Sequence, residues 1–397
     1  MKLSVRRKYN FSQILQLTLL FLVSLNFANL YFYLIFLTFF VCIIKNIRGM
    51  KVDVISVFLA LLSICYILFY SPTRGSYTTI FKQFSYPMCY LIGLNLFNAT
   101  NNKNQSEQSV DEQIKLSILV VSMGTLLHYL LNASINIDSL LRNTADYWTG
   151  EVVSATGQAL LPVMSIGVFC VWLFGNHPVW IKILSLLGLI AIFAYNFVLA
   201  GRTIIMLSAI IICVSFLYIQ KHLHPNARMR TYFFLCVIIV GILILFLNNA
   251  WGVRDWILNS NFSNRFNVQD VSSDIRIERK LIYFSRMLEF PFGGGHLRSA
   301  VGGYAHELYL DIFSDVGIIG YAMVIVVTIA GAVDAIKVFK CDSLSVETRS
   351  LVLCVFIGIN VVFFLEPILQ GEPWFFCIFC FLIGVIRSEV SILKQRV

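Results

Sequence analysis

Twelve apolar stretches succeed one another along the chain, at 11–27, 29–44, 53–70, 80–97, 114–131, 156–175, 179–199, 203–219, 231–249, 316–336, 350–366 and 374–390. Within each, apolar residues cover every face rather than the single stripe of a soluble helix, and most approach the roughly 20 residues needed to cross a hydrocarbon layer. Lipid offers no partner to backbone N–H and C=O groups, so such segments must be helical. The pattern predicts an all-α integral membrane protein with about twelve transmembrane helices. One connection is much longer than the rest. It divides the chain into spans 1–9 (residues 1–249), a large outer loop (250–315) and spans 10–12 (316–397). Composition agrees. The 397 residues are 58% hydrophobic and 13% charged, against about 25% charged in soluble domains, and the mean hydropathy of +0.80 excludes a single water-surrounded core.

Charge orients the spans. The basic start, with Lys2, Arg6, Arg7 and Lys8, leads into an apolar run that has no small-x-small cleavage site and is followed by a second run at Leu30. It reads as an uncleaved anchor. With that end inside, the inner connections carry Lys45, Arg48 and Lys51, then Lys221, Arg228 and Arg230, then Lys337, Lys340 and Arg349. The short outer ones carry Arg74, Arg142 and Arg202. This positive-inside asymmetry predicts a multi-pass membrane protein with both termini cytoplasmic, and an odd number of spans would scramble it. The net charge of +9 then reports topology, not nucleic-acid binding. Trp148, Trp251, Trp256 and Trp374 fall at outer edges, as interfacial anchors do. All cysteines but Cys341 lie in apolar runs, so no extracytoplasmic disulfide is expected, and Cys377-x-x-Cys380 reads as apolar filler.

The outer loop departs from the charge rule: it carries Arg254, Arg265, Arg276, Arg279, Lys280, Arg286 and Arg298. Such a segment is either a solvated basic loop or an anion-binding surface above the headgroups. Ser272-Ser273-Asp274 and Pro291 bracket about four turns of helix. At about 100° per residue, Arg276, Arg279, Tyr283 and Arg286 share a sector of roughly 80°. Glu278 and Glu289 project away, Ile277, Leu281 and Leu288 supply apolar surface, and Arg298 lies off the stripe. Three guanidiniums in a row repel unless an anion, or loop acids such as Asp255, Asp270 and Asp274, neutralise them; the planar fork of Arg suits phosphate. Gly293-Gly294-Gly295 then permits a tight return and a close backbone approach. In Tyr304-Ala305-His306-Glu307, helical spacing places His306 with Leu310, Phe313, Gly317 and Gly320 on one face, where the two glycines allow close packing. His306 is there either an interfacial residue or a proton acceptor. Arg202, in Gly201-Arg202-Thr203, sits where two spans meet outside; it either snorkels to headgroups or meets an anion.

In order, spacing and sidedness these stretches resemble the bacterial O-antigen polymerase and O-antigen ligase family of membrane glycosyltransferases. Gly201-Arg202-Thr203 is similar to the family's Ser/Gly-Arg-Thr/Gly. Arg276, fifteen residues before Pro291-Phe292-Gly293-Gly294-Gly295, resembles its Arg…Pro-x-x-Gly-x-Gly, one residue short here. His306 with Gly317 and Gly320 resembles its His-Asn/Ser/Gln followed by Gly-x-x-Gly, with Glu307 at the amide or Ser position. The likeness covers about 200–325; the rest matches in topology alone. It implies a polymerase that extends polyprenyl-pyrophosphate-linked oligosaccharide repeat units at the periplasmic face, without metal or cofactor. His306, Arg202 and Arg276 would be catalytic, and Arg279, Arg286, Tyr283, Glu307 and Tyr304 would hold pyrophosphate or glycan. Implied partners are the lipid-linked donor and acceptor, membrane lipids, a chain-length regulator and a flippase. A ligase acting on lipid A-core is the alternative within the family. A transporter is the alternative of another class, which would want matching halves and a midplane site.

Overall fold

The computed structural model describes residues 10–70, 81–97, 107–136, 144–260, 263 and 275–394. The basic N-terminus, residues 71–80 with Arg74, and Lys103, Arg142, Arg265, Asp270 and Ser272 to Asp274 lie outside the described residues. Every one of the twelve apolar stretches contains helix: α1 (Phe11–Ser24), α2 (Tyr31–Asn46), α3 (Val54–Cys65), α4 (Ser85–Asn95), α5 (Glu107–Asn136), α6 (Ala155–Leu160), α7 (Val163–Phe174), α8 (Val179–Leu199), α9 (Arg202–His222) and α10 (Pro225–Leu247), then α14 (Leu308–Phe339), α15 (Val346–Leu365) and α17 (Pro373–Lys394). The long connection contributes α11 (Val253–Leu258), α12 (Ile275–Arg286) and α13 (His296–Val301), and a short α16 (Ile368–Gly371) precedes α17. Among the described residues, seven helices (α5, α8, α9, α10, α14, α15 and α17) are long and apolar enough to cross a membrane, and α1, α2, α3 and α7 are shorter apolar helices. The chain is therefore an all-α protein of membrane-spanning composition.

Local chemistry sets the ends. Pro225 and Pro373 open α10 and α17, where a missing N–H costs nothing. Asp53 caps α3 by accepting from the Ser56 amide at 3.1 Å. The structure departs from expectation at α14, which begins at Leu308 rather than 316 and runs through the end of the 250–315 loop. At Gly317 (φ 74°, ψ −169°) it breaks. A β-carbon there would lie 2.3 Å from the Pro291 carbonyl oxygen, so only Gly fits.

Two compact units divide the chain. Met1–Thr125, Arg276–Val352 and Phe363–Val397 form the first. Its core packs α4 against α17 at Gly93 and Gly384, where an added β-carbon on Gly93 would come 2.2 Å from the Phe381 carbonyl oxygen; close approach through small residues is the usual currency of helix packing in lipid. Buried rings fill the space around it, with Tyr86 edge-on to Phe376 at 4.9 Å and Phe363 edge-on to Phe379 at 4.9 Å. Toward the C-terminal end of α14, Arg387 joins Asp334 (2.7 Å) and Asp53 (3.3 Å).

Leu126–Ile275 with Leu353–Val362 forms the second unit. Here α7 packs on α8 and α9, and a hairpin pairs β1 (Thr144–Ala145) with β2 (Val152–Val153) antiparallel, Thr144 opposite Val153. A hairpin this short is not stable alone. Side chains hold it: buried His128 meets Asp146 at 2.8 Å, Asn136 bonds both backbone groups of Ala145, and Asn132 accepts from the Tyr147 amide. By contrast only 6% of the apolar window of α10 is buried within the protein, so its surface is one that lipid must cover.

Candidate functional site

The site is built where α12, the α13 loop and the start of α14 meet the end of α15, all in the first unit. Arg276 reaches toward the buried Glu366 at 3.8 Å. One turn on, Lys280 donates to the Phe364 carbonyl oxygen at 2.7 Å and pairs with Glu307 at 3.4 Å. The guanidinium of Arg279 lies against Gly303, where an added β-carbon would come within 2.8 Å of it. Burial pushes the Glu307 carboxyl above its ordinary value, with Lys280 pulling the other way. Arg279 and Lys280 thus flank the Gly303–Glu307 turn, while Arg276 faces Glu366.

Tyr283, expected on the ligand-facing stripe, is instead buried completely and donates its hydroxyl to the Gly303 carbonyl oxygen at 2.7 Å. Its place is in an apolar cluster with Leu297, Ala305, Leu310 and Phe313, and burial raises the phenol's pKa. Arg286 departs too. It lies ten residues, about 15 Å of helix, beyond Arg276 and makes a two-pronged contact with Glu289 (3.0 and 2.8 Å). Glu289 therefore does not project away from the stripe. The helix presents Arg276, Arg279 and Lys280 to the site and uses Tyr283 as a brace.

His306 is outside the helix that spacing predicted. Glu307 is the N-cap of α14, and His306 before it has φ 61°, the left-handed region that non-glycine residues occupy at a cost. The turn is held from two sides: Tyr283 bonds the Gly303 carbonyl, and the Ala305 amide donates to Asp311 at 2.9 Å. Tyr304 stands half-exposed beside it.

Arg298 lies off the predicted stripe. It is buried, pairs with the equally buried Asp315 at 3.3 Å and lies 4.5 Å from the Tyr304 ring centroid. Burial works against its charge, but Asp315 and Tyr70 outweigh it and raise its pKa. Gln370 donates to the second oxygen of Asp315 at 3.0 Å. Asp315 falls in what reads as the edge of a span, and a carboxylate there was the available signal that a cation must come to it.

The glycine run has a definite place. Gly294 and Gly295 donate to the carbonyls of Asp315 and Ser314, and Ile318 donates to that of Pro291 (2.9, 2.7 and 2.9 Å). The run lies against the break in α14, and Gly317 faces this loop rather than a neighbouring helix. Arg202 belongs to the second unit, as the first residue of α9, half-buried after a left-handed Ala200. Asn196, unremarked in the sequence, donates to the Gly201 carbonyl at 2.9 Å and fixes that turn. A cation at the positive end of a helix dipole is disfavoured unless an anion joins it. Among the described residues no group of His, Cys, Asp and Glu is arranged to hold a metal ion.

No protein-family model matches this chain, and no curated protein matches it.

Proposed function

We propose that this chain is a polymerase of the O-antigen type: a metal-independent glycosyltransferase that joins polyprenyl-pyrophosphate-linked repeat units at the periplasmic face of the bacterial inner membrane. The reading takes the apolar stretches as twelve spans with both termini cytoplasmic and residues 250–315, from α11 to the first turns of α14, outside. The observation that supports it is the placement of Arg279 and Lys280 against the Gly303–Glu307 turn, which contains the left-handed His306, with Arg276 beside Glu366 one turn away on the same helix and all of them at one end of a lipid-length helix. In the proposed reaction a sugar hydroxyl of the acceptor attacks the anomeric carbon of the donor. Its proton passes to the His306 imidazole, and the carbon–oxygen bond to pyrophosphate breaks. Charge grows on the departing phosphate, where preorganised guanidinium donors stabilise it most, and imidazole accepts a proton near neutral pH. Tyr304 supplies a ring for the glycan in this reading.

The test is the lipopolysaccharide pattern of a deletion strain complemented by wild type or His306→Ala. A polymerase that has lost its proton acceptor leaves single repeat units on the core in place of a ladder, at unchanged protein abundance. Bare core with long chains on the carrier would establish a ligase instead, and a full ladder from the variant would remove His306 from the reaction.

A further inference from the structure

Helix α12 turns Arg276 and Lys280 inward and a greasy face outward. Ile277, Leu281, Phe284 and Leu288 are 53%, 66%, 55% and 75% exposed, and Phe292 just beyond the helix is 70% exposed. At about 100° per residue Ile277, Leu281 and Phe284 fall within roughly 60° of one another, and Leu288 follows in the 3-10 turn after the helix. On the far side Tyr283 is sealed in the core and Arg276 and Lys280 engage Glu366 and Glu307. Exposed apolar patches of this kind are rare on water-facing surfaces.

The depth of the helix says what covers it. Pro291 at its exit is hydrogen-bonded to Ile318, immediately after the Gly317 break. From Gly317 to Lys337 the rest of α14 runs twenty residues, about 30 Å at 1.5 Å per residue, which is the thickness of the hydrocarbon layer. Lys337 closes on Asp334, which also holds Arg387, so a charged cluster marks one boundary of that layer. The other boundary then falls at Gly317, level with Pro291 and Phe292. A helix leaving from that level with an apolar stripe on one side lies in the interface plane.

We infer that α12 is an interfacial helix whose Ile277–Leu281–Phe284 face, continued by Leu288 in the turn beyond it, rests in the acyl chains of the bilayer leaflet, with Phe292 as a wedge past its C-terminal end. The bilayer is its partner, and contact with it presses the inward-facing cations onto the turn at Gly303–Glu307. This inference does not depend on the reaction proposed above.

Photocrosslinking in the full-length protein tests it. p-Benzoylphenylalanine is placed at Leu281 or Leu288, and at Ser285 off the stripe, in protein reconstituted in nanodiscs of phosphatidylcholine and phosphatidylglycerol. Mass spectrometry of the irradiated peptides should show phospholipid adducts at 281 and 288, at least tenfold above those at 285. Adducts from 281 and 288 to a second copy of the chain, or to another segment of the same chain, would overturn the proposal, as would lipid labelling equal at all three positions. In a parallel variant, Leu281→Gln should weaken protection of the α12 amides from hydrogen exchange severalfold in nanodiscs while leaving it unchanged in α17. Unaltered α12 protection in that variant would also count against membrane contact.

Discussion

Replacing Arg298 by Ala should be among the most damaging single substitutions in the first unit. The side chain is 5% exposed and its partner Asp315 is 3% exposed, so the change strands a carboxylate in a low-dielectric setting. Removing one member of a buried ion pair costs about 3–5 kcal/mol, and losing the Arg298–Tyr304 stack at 4.5 Å adds about 0.5–2 kcal/mol. Gln370 still donates to Asp315, which holds the sum near the lower end, about 4 kcal/mol. Unfolding of the detergent-solubilised protein in rising sodium dodecyl sulfate, followed by circular dichroism, reads this directly. The sign of a second change is diagnostic. Asp315→Asn in the Arg298→Ala background removes the stranded charge and should recover about half of the loss, whereas Asp315→Asn alone should destabilise. Arg298→Lys keeps the charge but not the planar stack and should fall between. If Arg298→Ala unfolds within about 0.5 kcal/mol of wild type, the range of ordinary surface substitutions, the pair is not structural and the reasoning fails.

Gly317→Ala places a β-carbon 2.3 Å from the Pro291 carbonyl oxygen at a residue with φ 74°; a loss of more than about 2 kcal/mol is expected, seen as reduced abundance and earlier unfolding in the same titration. Tyr283→Phe keeps the buried ring but removes the bond to the Gly303 carbonyl, so turnover should drop about tenfold, roughly one hydrogen bond's worth; in a His306→Ala background it should cost nothing more, and independent multiplication of the two effects would show that Tyr283 does not act through the turn. Asp146 is pushed up by burial, but the His128 bond and charge, with the Thr149 and Trp148 amides, hold it down to about 2 from an ordinary 3.8; because the folded value is the lower one, its stabilisation is present above about 4 and disappears as pH falls toward 2, so hydrogen exchange at Trp148 and Thr149 should accelerate in that window and lose the pH dependence in Asp146→Asn.

The helices were legible because a segment that crosses lipid must be apolar on every face and satisfy its own backbone, a constraint that leaves an unbroken run in the sequence. Where polar residues interrupt the run, that signal fails. Residues 308–315 contain Asp311, Ser314 and Asp315, so the span seemed to start at Val316, yet all three are buried and engaged with Ala305, Arg298 and Gln370. Periodicity put Arg276, Arg279, Tyr283 and Arg286 on one stripe but carried no information about which positions turn inward: Tyr283 enters the core and Arg286 leaves for Glu289. The tertiary partners Glu366 and Gly303, far off in sequence, decide that. His306 was placed on a helix because i, i+4, i+7 spacing continues through it; what ends the helix is the extended backbone of Glu307, which no residue type announced. The importance of Arg298 was invisible for the same reason, since its carboxylate partner Asp315 sits seventeen residues on, at the edge of an apparent span.

The Gly317 break and the glycine run explain one another. A helix interrupted near the membrane surface leaves amides and carbonyls that lipid cannot satisfy, and such interruptions persist only where protein supplies the missing partners. Here Pro291 accepts from Ile318, and Gly294 and Gly295 donate to Asp315 and Ser314, so the run stands in for the ladder that the break deletes. Side chains would prevent this: a β-carbon on Gly293 would lie 2.4 Å from the Gly317 amide nitrogen. The glycines are thus needed at 293–295 because α14 is broken, and the break is tolerated because the glycines reach it. Its consequence is that the first turns of α14, from Leu308 to Val316, are released from the axis of the span below. They carry Asp311 to the Ala305 amide and Asp315 to Arg298, so the turn bearing His306 is held by the start of α14 on one side and by the Tyr283 bond to Gly303 on the other.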